Sequence, residues 1–285
     1  MINVVVFEGG LGNQMFQYAF YLVLKKRYPY SLFLFDIEKS LCCHNGFELS
    51  RIFNIRTNTR CKIYNFLQSH FGFILSKFTE VRQDNSLKYD STYINLPKGG
   101  CSIKGFWQSE KWFLDISDKV RSTFVFKTEF LNSDTALLAN TIKSGKNIYC
   151  SIHIRRGDYL VDEGFGVIGL GYYKEAIQMI RTKVSVDVRF CVFSDDQDWC
   201  KSNIVLDATY VDWNSGKDAW QDMYLMSLCH HNIIANSSFS WWGAWLNNNP
   251  NKLVIAPQRW FLYTDNYDIL PQTWEQMTSP CENYC

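Results

Sequence analysis

No apolar stretch reaches the ~18 residues that a bilayer-spanning helix requires, so the chain is expected to cross no membrane. A cationic leader and small-residue cleavage site are also missing. Met1–Phe7 reads instead as a short apolar strand running directly into a glycine loop. The formal net charge is only +1, and no long Lys/Arg run occurs. That removes the basic stripe nucleic-acid binding needs. There is no internal repeat or low-complexity segment to suggest an array. His230 and His231 are adjacent, so on a helix they point ~100° apart and do not share one ion; no zinc spacing is present.

What is present is a large apolar and aromatic inventory. The 285 residues include ten Trp, sixteen Tyr and twenty-one Phe, enough for a sizeable core and for stacking on flat ligands or sugar faces. The ten cysteines belong to a chain too long and core-rich to need stapling. Cys42-Cys43 and Cys281-x-x-x-Cys285 are therefore read as free thiols in a reducing compartment. The expected location is the cytoplasm.

Periodicity gives an α/β order. Ile2–Phe7 is a doubly buried strand, Asn13–Arg27 a helix and Ser31–Phe35 the next strand. Residues 38–100 are mixed in character and read as an insertion of helices and loops, with a strand at Cys101–Phe106 and helices within Asp115–Phe124 and at Ser133–Lys143. Beyond a linker at Ser144–Lys146 the pattern is regular. Strands are expected at Asn147–Ile154, Asp187–Phe193, Thr209–Asp212, Asn232–Ala235 and Lys252–Ala256, with helices at Tyr172–Lys183, Asp218–Cys229 and Ser238–Asn247. Such alternation predicts parallel sheets covered on both faces. The expected domains are 1–145 and 146–285, with a cleft between them and a tail that packs back on the first.

Four segments carry chemistry. Gly9-Gly10-Leu11-Gly12-Asn13-Gln14 turns between strand and helix, where free N–H groups face outward. It matches neither the dinucleotide fingerprint nor the P-loop, whose lysine it lacks; a tight turn without a ligand is the alternative. His153-Ile154-Arg155-Arg156-Gly157-Asp158-Tyr159 brings two guanidiniums and a carboxylate to a strand end, where open α/β sheets bind ligands. Arginine forks match phosphate oxygens, although a self-contained surface salt bridge has the same composition. Ser194-Asp195-Asp196-Gln197-Asp198 contains a D-x-D pair of the kind that holds a divalent cation, or equally a helix cap. Asn236-Ser237-Ser238-Phe239 opens a helix with strong capping residues and hydroxyls suited to a phosphate oxygen. Its sequon is set aside for a cytoplasmic chain.

Taken together, GGLGNQMFQY (9–18), HIRRGDY (153–159), FSDD (193–196) and NSSFSWWGAWL (236–246) resemble glycosyltransferase family 11, the α-1,2-fucosyltransferases, in the soluble bacterial form. The resemblance implies a GT-B fold of two Rossmann-type domains, with the N-terminal half on the acceptor side and the C-terminal half holding the nucleotide. It implies inverting transfer of L-fucose from GDP-β-L-fucose to the 2-hydroxyl of a terminal galactose on a glycan acceptor. The donor would be met by His153, Arg155, Arg156, Ser194, Asp195, Asp222, Ser237, Ser238, Phe239, Gly12 and Asn13, with Arg155 on the β-phosphate and His153 and Asp222 on the guanine. A cationic cradle makes a metal cofactor unnecessary, so none is expected. Asp158, with Arg156 beside it, and Glu8 are alternative general bases. Other readings are another GDP-hexose or linkage, a metal-dependent transferase, and a non-catalytic binder. Peripheral contact with the inner membrane surface is expected from lipid-linked acceptors.

Overall fold

The computed structural model describes residues 1–278 except 43, 76, 85, 162–163, 185 and 265–267; of residue 58 it describes the backbone alone. Two compact units result, Met1–Lys127 with Tyr267–Pro271, and Thr128–Asn266 with Gln272–Cys285. The division falls before the helix Ser133–Lys143 rather than at residue 145. That helix is capped by Asn132, whose side-chain oxygen accepts from the Thr135 N–H at 2.8 Å. Asn132 also donates its own N–H to Gln221. These bonds tie the helix to the second unit.

The first unit holds a four-stranded, wholly parallel sheet. Its strands are β1 (Ile2–Val6), β2 (Leu32–Asp36), β3 (Thr79–Arg82) and β4 (Cys101–Lys104), in the order β2-β1-β4-β3. The helix Leu11–Arg27 returns the chain from β1 to β2, ending on Lys25-Lys26-Arg27 where the dipole favours cations. Its buried Tyr18 and Tyr21 pack on Phe35, and Tyr21 also on Phe33, while Phe16 and Phe20 pack on Phe113 and Trp107. The expected insertion contains the helix Asn58–Leu75 and the edge strand β3, which its polar, weakly alternating Thr-Glu-Val-Arg concealed.

The second unit carries six parallel strands: β5 (Ile148–Ile154), β6 (Val188–Ser194), β7 (Ala208–Val211), β8 (His231–Ile233), β9 (Val254–Pro257) and β10 (Glu275–Met277), ordered β10-β9-β8-β5-β6-β7. The chain runs outward from β5 through β6 to β7, then returns to β8 on the other side of β5. Between β5 and β8 lies the point where strand order reverses, the place ligands occupy in open α/β sheets. Ile152, Ile154, Tyr172, Ile177, Val192, Ile233 and Ile255 form the core beneath it. Tyr172 directs its hydroxyl at the carbonyls of Ile234 and Ile255 at 2.8 and 3.1 Å, holding the exit of β8 against β9.

Of the tail, Asp268 belongs to the first unit, accepting the Tyr89 N–H and pairing with Lys111, while its carbonyl accepts the Ser109 hydroxyl. Glu275–Met277 instead pairs with β9 as an edge strand of the second sheet. Seven described cysteines, including Cys42, are free thiols. Cys43, Cys281 and Cys285 lie outside the described residues. No described helix is long and apolar enough to cross a membrane.

Candidate active site

Strand register decides which loops meet. Ile154 of β5 lies beside Ser194 of β6, so Arg155-Arg156 and Asp195-Asp196 leave the sheet at one level. Asp195 accepts the Arg156 backbone N–H at 2.9 Å, and its other oxygen lies 3.0 Å from the Arg155 guanidinium. A Cβ on Gly157 would come within 2.7 Å of that carboxylate, so only glycine allows Asp195 this close.

The two arginines then part. Arg155 pairs with Asp158 at 2.8 Å and with Asp195, and its guanidinium lies over the Tyr159 ring. Burial works against its charge, but the two carboxylates outweigh it and hold the pKa above the ordinary value. Arg156 is stacked on Trp199 at 3.9 Å, and its Nε reaches Asp196 at 3.3 Å. It is buried and braces the turn. The Asp158 carboxylate pairs with Arg155, and the Arg156 guanidinium with Asp196. A three-residue offset returns to the same side of the turn, whereas the neighbouring side chain leaves on the other.

Of the D-x-D pair, Asp196 has a local structural role. Asp196 caps the seven-residue helix Gln197–Asn203 by accepting from the Trp199 N–H at 3.2 Å, and it also holds Arg156. Ser194 accepts the Asp196 N–H at 3.0 Å. Among the described residues no cluster of His, Cys, Asp or Glu is arranged to hold a metal.

Across the switch point from Arg155, β8 runs into Asn236–Ser238 and the helix Ser238–Leu246. Ser237 caps it, its hydroxyl accepting from the Phe239 N–H at 3.3 Å. The first turn of a helix offers N–H groups without intrahelical partners, aimed along a favourable dipole for an anion. Asn236 is 1% exposed and donates to the carbonyls of Gly166 and Trp260, so its sequon is sealed in the core. Tyr159 donates its hydroxyl to the Asn236 carbonyl at 3.1 Å, joining the arginine turn to the serine turn. Trp241, Trp242 and Trp245 are buried and pack on one another and on Trp274. They are core, not a sugar platform.

Two buried groups complete this edge. His153, in β5, has its pKa pushed down to about 3 by burial and by Arg155, so the ring is neutral at working pH. Its Nδ1 is buried without a hydrogen-bond partner among the described residues, and the ring lies 5.8 Å from that of Phe239. Asp222 sits in the first turn of the helix Trp220–Leu228, which follows the exit of β7. Burial raises its carboxyl to about 8 against the pull of Asn214, whose amide donates to it at 2.8 Å.

The remaining candidates, Glu8, Gly12 and Asn13, stand in the first unit. Gly9 (φ +77°) turns the chain, and a Cβ there would meet Asn13 Nδ2 at 2.5 Å. Gly12 is buried in the helix start and Asn13 is partly exposed. Gln14 is fully buried, donating to the carbonyls of Gly9 and Gly46 and accepting from the Glu48 N–H, so it supports the loop rather than facing a ligand. Glu8 pairs with Lys39 at 2.7 Å, and Gln17 bonds both its backbone N–H and its carbonyl. Sequence reasoning missed Gln17, Trp199, Tyr159 and Gln108.

The model of "Glycosyl transferase family 11" matches residues 1–268. An α-1,2-colitosyltransferase from Escherichia coli is 34% identical, over 96% of this chain and 98% of its own. The O-antigen biosynthesis glycosyltransferase WbnK from Escherichia coli is 30% identical, over 94% and 97%. Galactoside α-(1,2)-fucosyltransferase 1 of Aotus azarae is 30% identical, over 54% of this chain and 45% of its own. The fucosyltransferase NodZ from Bradyrhizobium shares the fold at a TM-score of 0.51 and 14% identity, over 85% and 90% of the two chains. With two parallel-sheet units of GT-B type and a family match along nearly its whole length, the chain belongs to glycosyltransferase family 11.

Proposed function

We propose that this glycosyltransferase moves L-fucose from GDP-β-L-fucose to the 2-hydroxyl of a terminal galactose, with inversion, and needs no metal. The observation that carries the reading is Arg155, fixed between Asp158 and Asp195 across the β5/β8 switch point from the serine-capped helix start. In this mechanism the bond from fucose C1 to the β-phosphate oxygen breaks and its electron pair leaves with GDP. Arg155 and the N–H of Ser238 meet the growing negative charge, with the Ser237 hydroxyl, which accepts from the Phe239 N–H, donating to the same phosphate. Fixed donors placed where charge develops usually contribute more to the rate than any other device in a site of this kind. His153 and Asp222 face the guanine, while Arg156, Ser194 and Asp195 hold the cradle in shape.

The acceptor is assigned to the first unit. Its 2-hydroxyl attacks C1 opposite the diphosphate, and its proton passes to a carboxylate. Glu8 is the better base of the two: Asp158 is tied to the guanidinium that must meet the phosphate, whereas the Glu8 carboxylate is paired with the exposed Lys39, which the phosphate does not need, and its backbone is anchored by Gln17 at the exit of β1.

One observation favours a second donor. A relative covering 96% of the chain is named a colitosyltransferase, and colitose is L-fucose without its 3-hydroxyl. Purified protein is incubated with a β-galactoside and either GDP-fucose or GDP-colitose, with and without EDTA, and product linkage is read by NMR. The reading expects an α-1,2-fucoside at an EDTA-independent rate. Preference for GDP-colitose, another linkage, or loss of activity in EDTA each overturns the corresponding part.

We further propose peripheral contact with an anionic membrane surface, beneath lipid-linked acceptors. The helical segment Asn58–Leu75, kinked at Phe71, exposes Ile63 and Phe66 before the kink and Phe73 and Ile74 after it, with exposed Lys62 and Lys77 close by in sequence, an exposed apolar content with cations such as a membrane surface would take up.

A further inference from the structure

The first unit has a switch point of its own. From β1 the chain passes to β2 on one side, and the later strands lie on the other, with β4 directly against β1. Past the exits of these neighbours lie Glu8–Asn13 and Gly105–Gln108. Gln17 donates to the carbonyls of both Glu8 and Gly105 at 3.3 Å, locking the two exits together.

Gln108 is 5% exposed and donates from Nε2 to Asn13 Oδ1 at 2.7 Å. Its Oε1 is buried with no hydrogen-bond partner among the described residues. A buried amide oxygen left without a partner is costly, and such a group asks for a donor from outside. The loop holding it is also costly. Trp107 adopts φ 55°, a region bulky side chains avoid, and is kept there by Gln83 and by stacking on Phe20 at 3.9 Å. Asn13 Nδ2, over Gly9, is taken up by no described residue. The pair therefore presents one neutral acceptor and one neutral donor at a sheet crevice. That is the complement of a hydroxyl group; neither amide supplies the charge that a phosphate or carboxylate would call for.

We propose that Gln108 selects the acceptor sugar: its Oε1 accepts a hydrogen bond from a hydroxyl of the galactose end, and Asn13 Nδ2 donates to that hydroxyl or its neighbour. The proposal rests on the transferase reading above and deepens it by naming residues that choose the acceptor. A site built around a hydroxyl rejects the analogue lacking it, because its buried polar group is then left unpaired.

Gln108→Met keeps length and removes the amide. Its acceptor KM is expected to rise at least about tenfold, while GDP affinity by calorimetry and acceptor-independent hydrolysis of the donor stay within about twofold of wild type. Galactosides deoxygenated singly at positions 3, 4 and 6 complete a double-mutant cycle. For one of them the penalty of the variant disappears. Should Gln108→Met fail to fold, Gln108→Asn, the same amide one methylene shorter, carries the same expected split. An unchanged acceptor KM, an equal loss of GDP affinity, or a penalty that persists with every deoxygenated sugar overturns the proposal. A wild-type enzyme that transfers to no galactoside overturns the transferase reading itself. Normal wild-type transfer with unaltered variants overturns the role of Gln108 alone.

Discussion

Asp195 Oδ2 lies 3.0 Å from Arg155 Nη1, while its second oxygen receives the backbone N–H of Arg156, so one carboxylate holds both the Arg155 guanidinium and the backbone of the turn that carries it. Arg155→Ala removes the fixed charge and is expected to lower kcat by ~10²–10³. Asp195→Asn keeps the acceptor for the Arg156 N–H but releases the guanidinium, and a misplaced group costs roughly 10- to 100-fold. Steady-state kinetics with varied GDP-fucose separates the two. Retention of more than about a tenth of wild-type turnover in Arg155→Ala contradicts the phosphate role.

Arg156 is expected to behave differently despite adjoining Arg155. Stacked on Trp199 and bonded to Asp196, it holds the turn. Arg156→Ala removes a charge-assisted hydrogen bond and a cation–π contact, together about 2–3 kcal/mol. Thermal melts are expected to show a Tm lower by several degrees. A variant with wild-type Tm but abolished turnover would put Arg156 on the substrate instead.

The alternation of doubly buried strands and amphipathic helices made both parallel sheets legible, because parallel strands read as continuous apolar runs. β3 and β10 escaped because edge strands are short and polar, as Thr79–Arg82 and Glu275–Met277 are. The arginine turn and the serine-capped helix were visible as motifs. The pairing within them was not, since Asp195 and Arg155 are brought together by the register of β5 on β6. Gln108 was invisible for a related reason. Its significance lies in an unsatisfied oxygen, which only burial reveals.

Glu8 and Asp158 can be told apart. Glu8→Gln is expected to reduce kcat by ~10²–10⁴ with GDP affinity intact, because a positioned base contributes in that range. Asp158→Asn frees Arg155 from one of two anchors and is expected to act mainly through donor KM. The reverse pattern in kcat transfers the base to Asp158.

Phe66 and Phe73 are 56% and 66% exposed. Phe66→Ser with Phe73→Ser is expected to abolish co-sedimentation with vesicles rich in anionic lipid while leaving transfer to a soluble galactoside unchanged. Equal sedimentation of wild type and variant, or none by the wild type, removes the membrane reading.

Asp222 gives the apo protein a pH signature. Its ordinary pKa is 3.8, and burial raises it to about 8 in the folded state. Between these values the unfolded chain has lost a proton that the folded chain keeps, so stability falls as pH rises from about 4 to about 8 and then levels. Asp222→Asn mimics the protonated carboxyl and can still accept from Asn214, so its Tm is expected to exceed that of wild type near pH 8 and to lose this slope. Guanine offers N–H donors that pair best with the ionised carboxylate. GDP binding at pH 7 is therefore expected to release close to one proton, with affinity rising towards pH 8. Calorimetry in buffers of different ionisation enthalpy counts that proton. Its absence in wild type, or its persistence in Asp222→Asn, removes Asp222 from the guanine site.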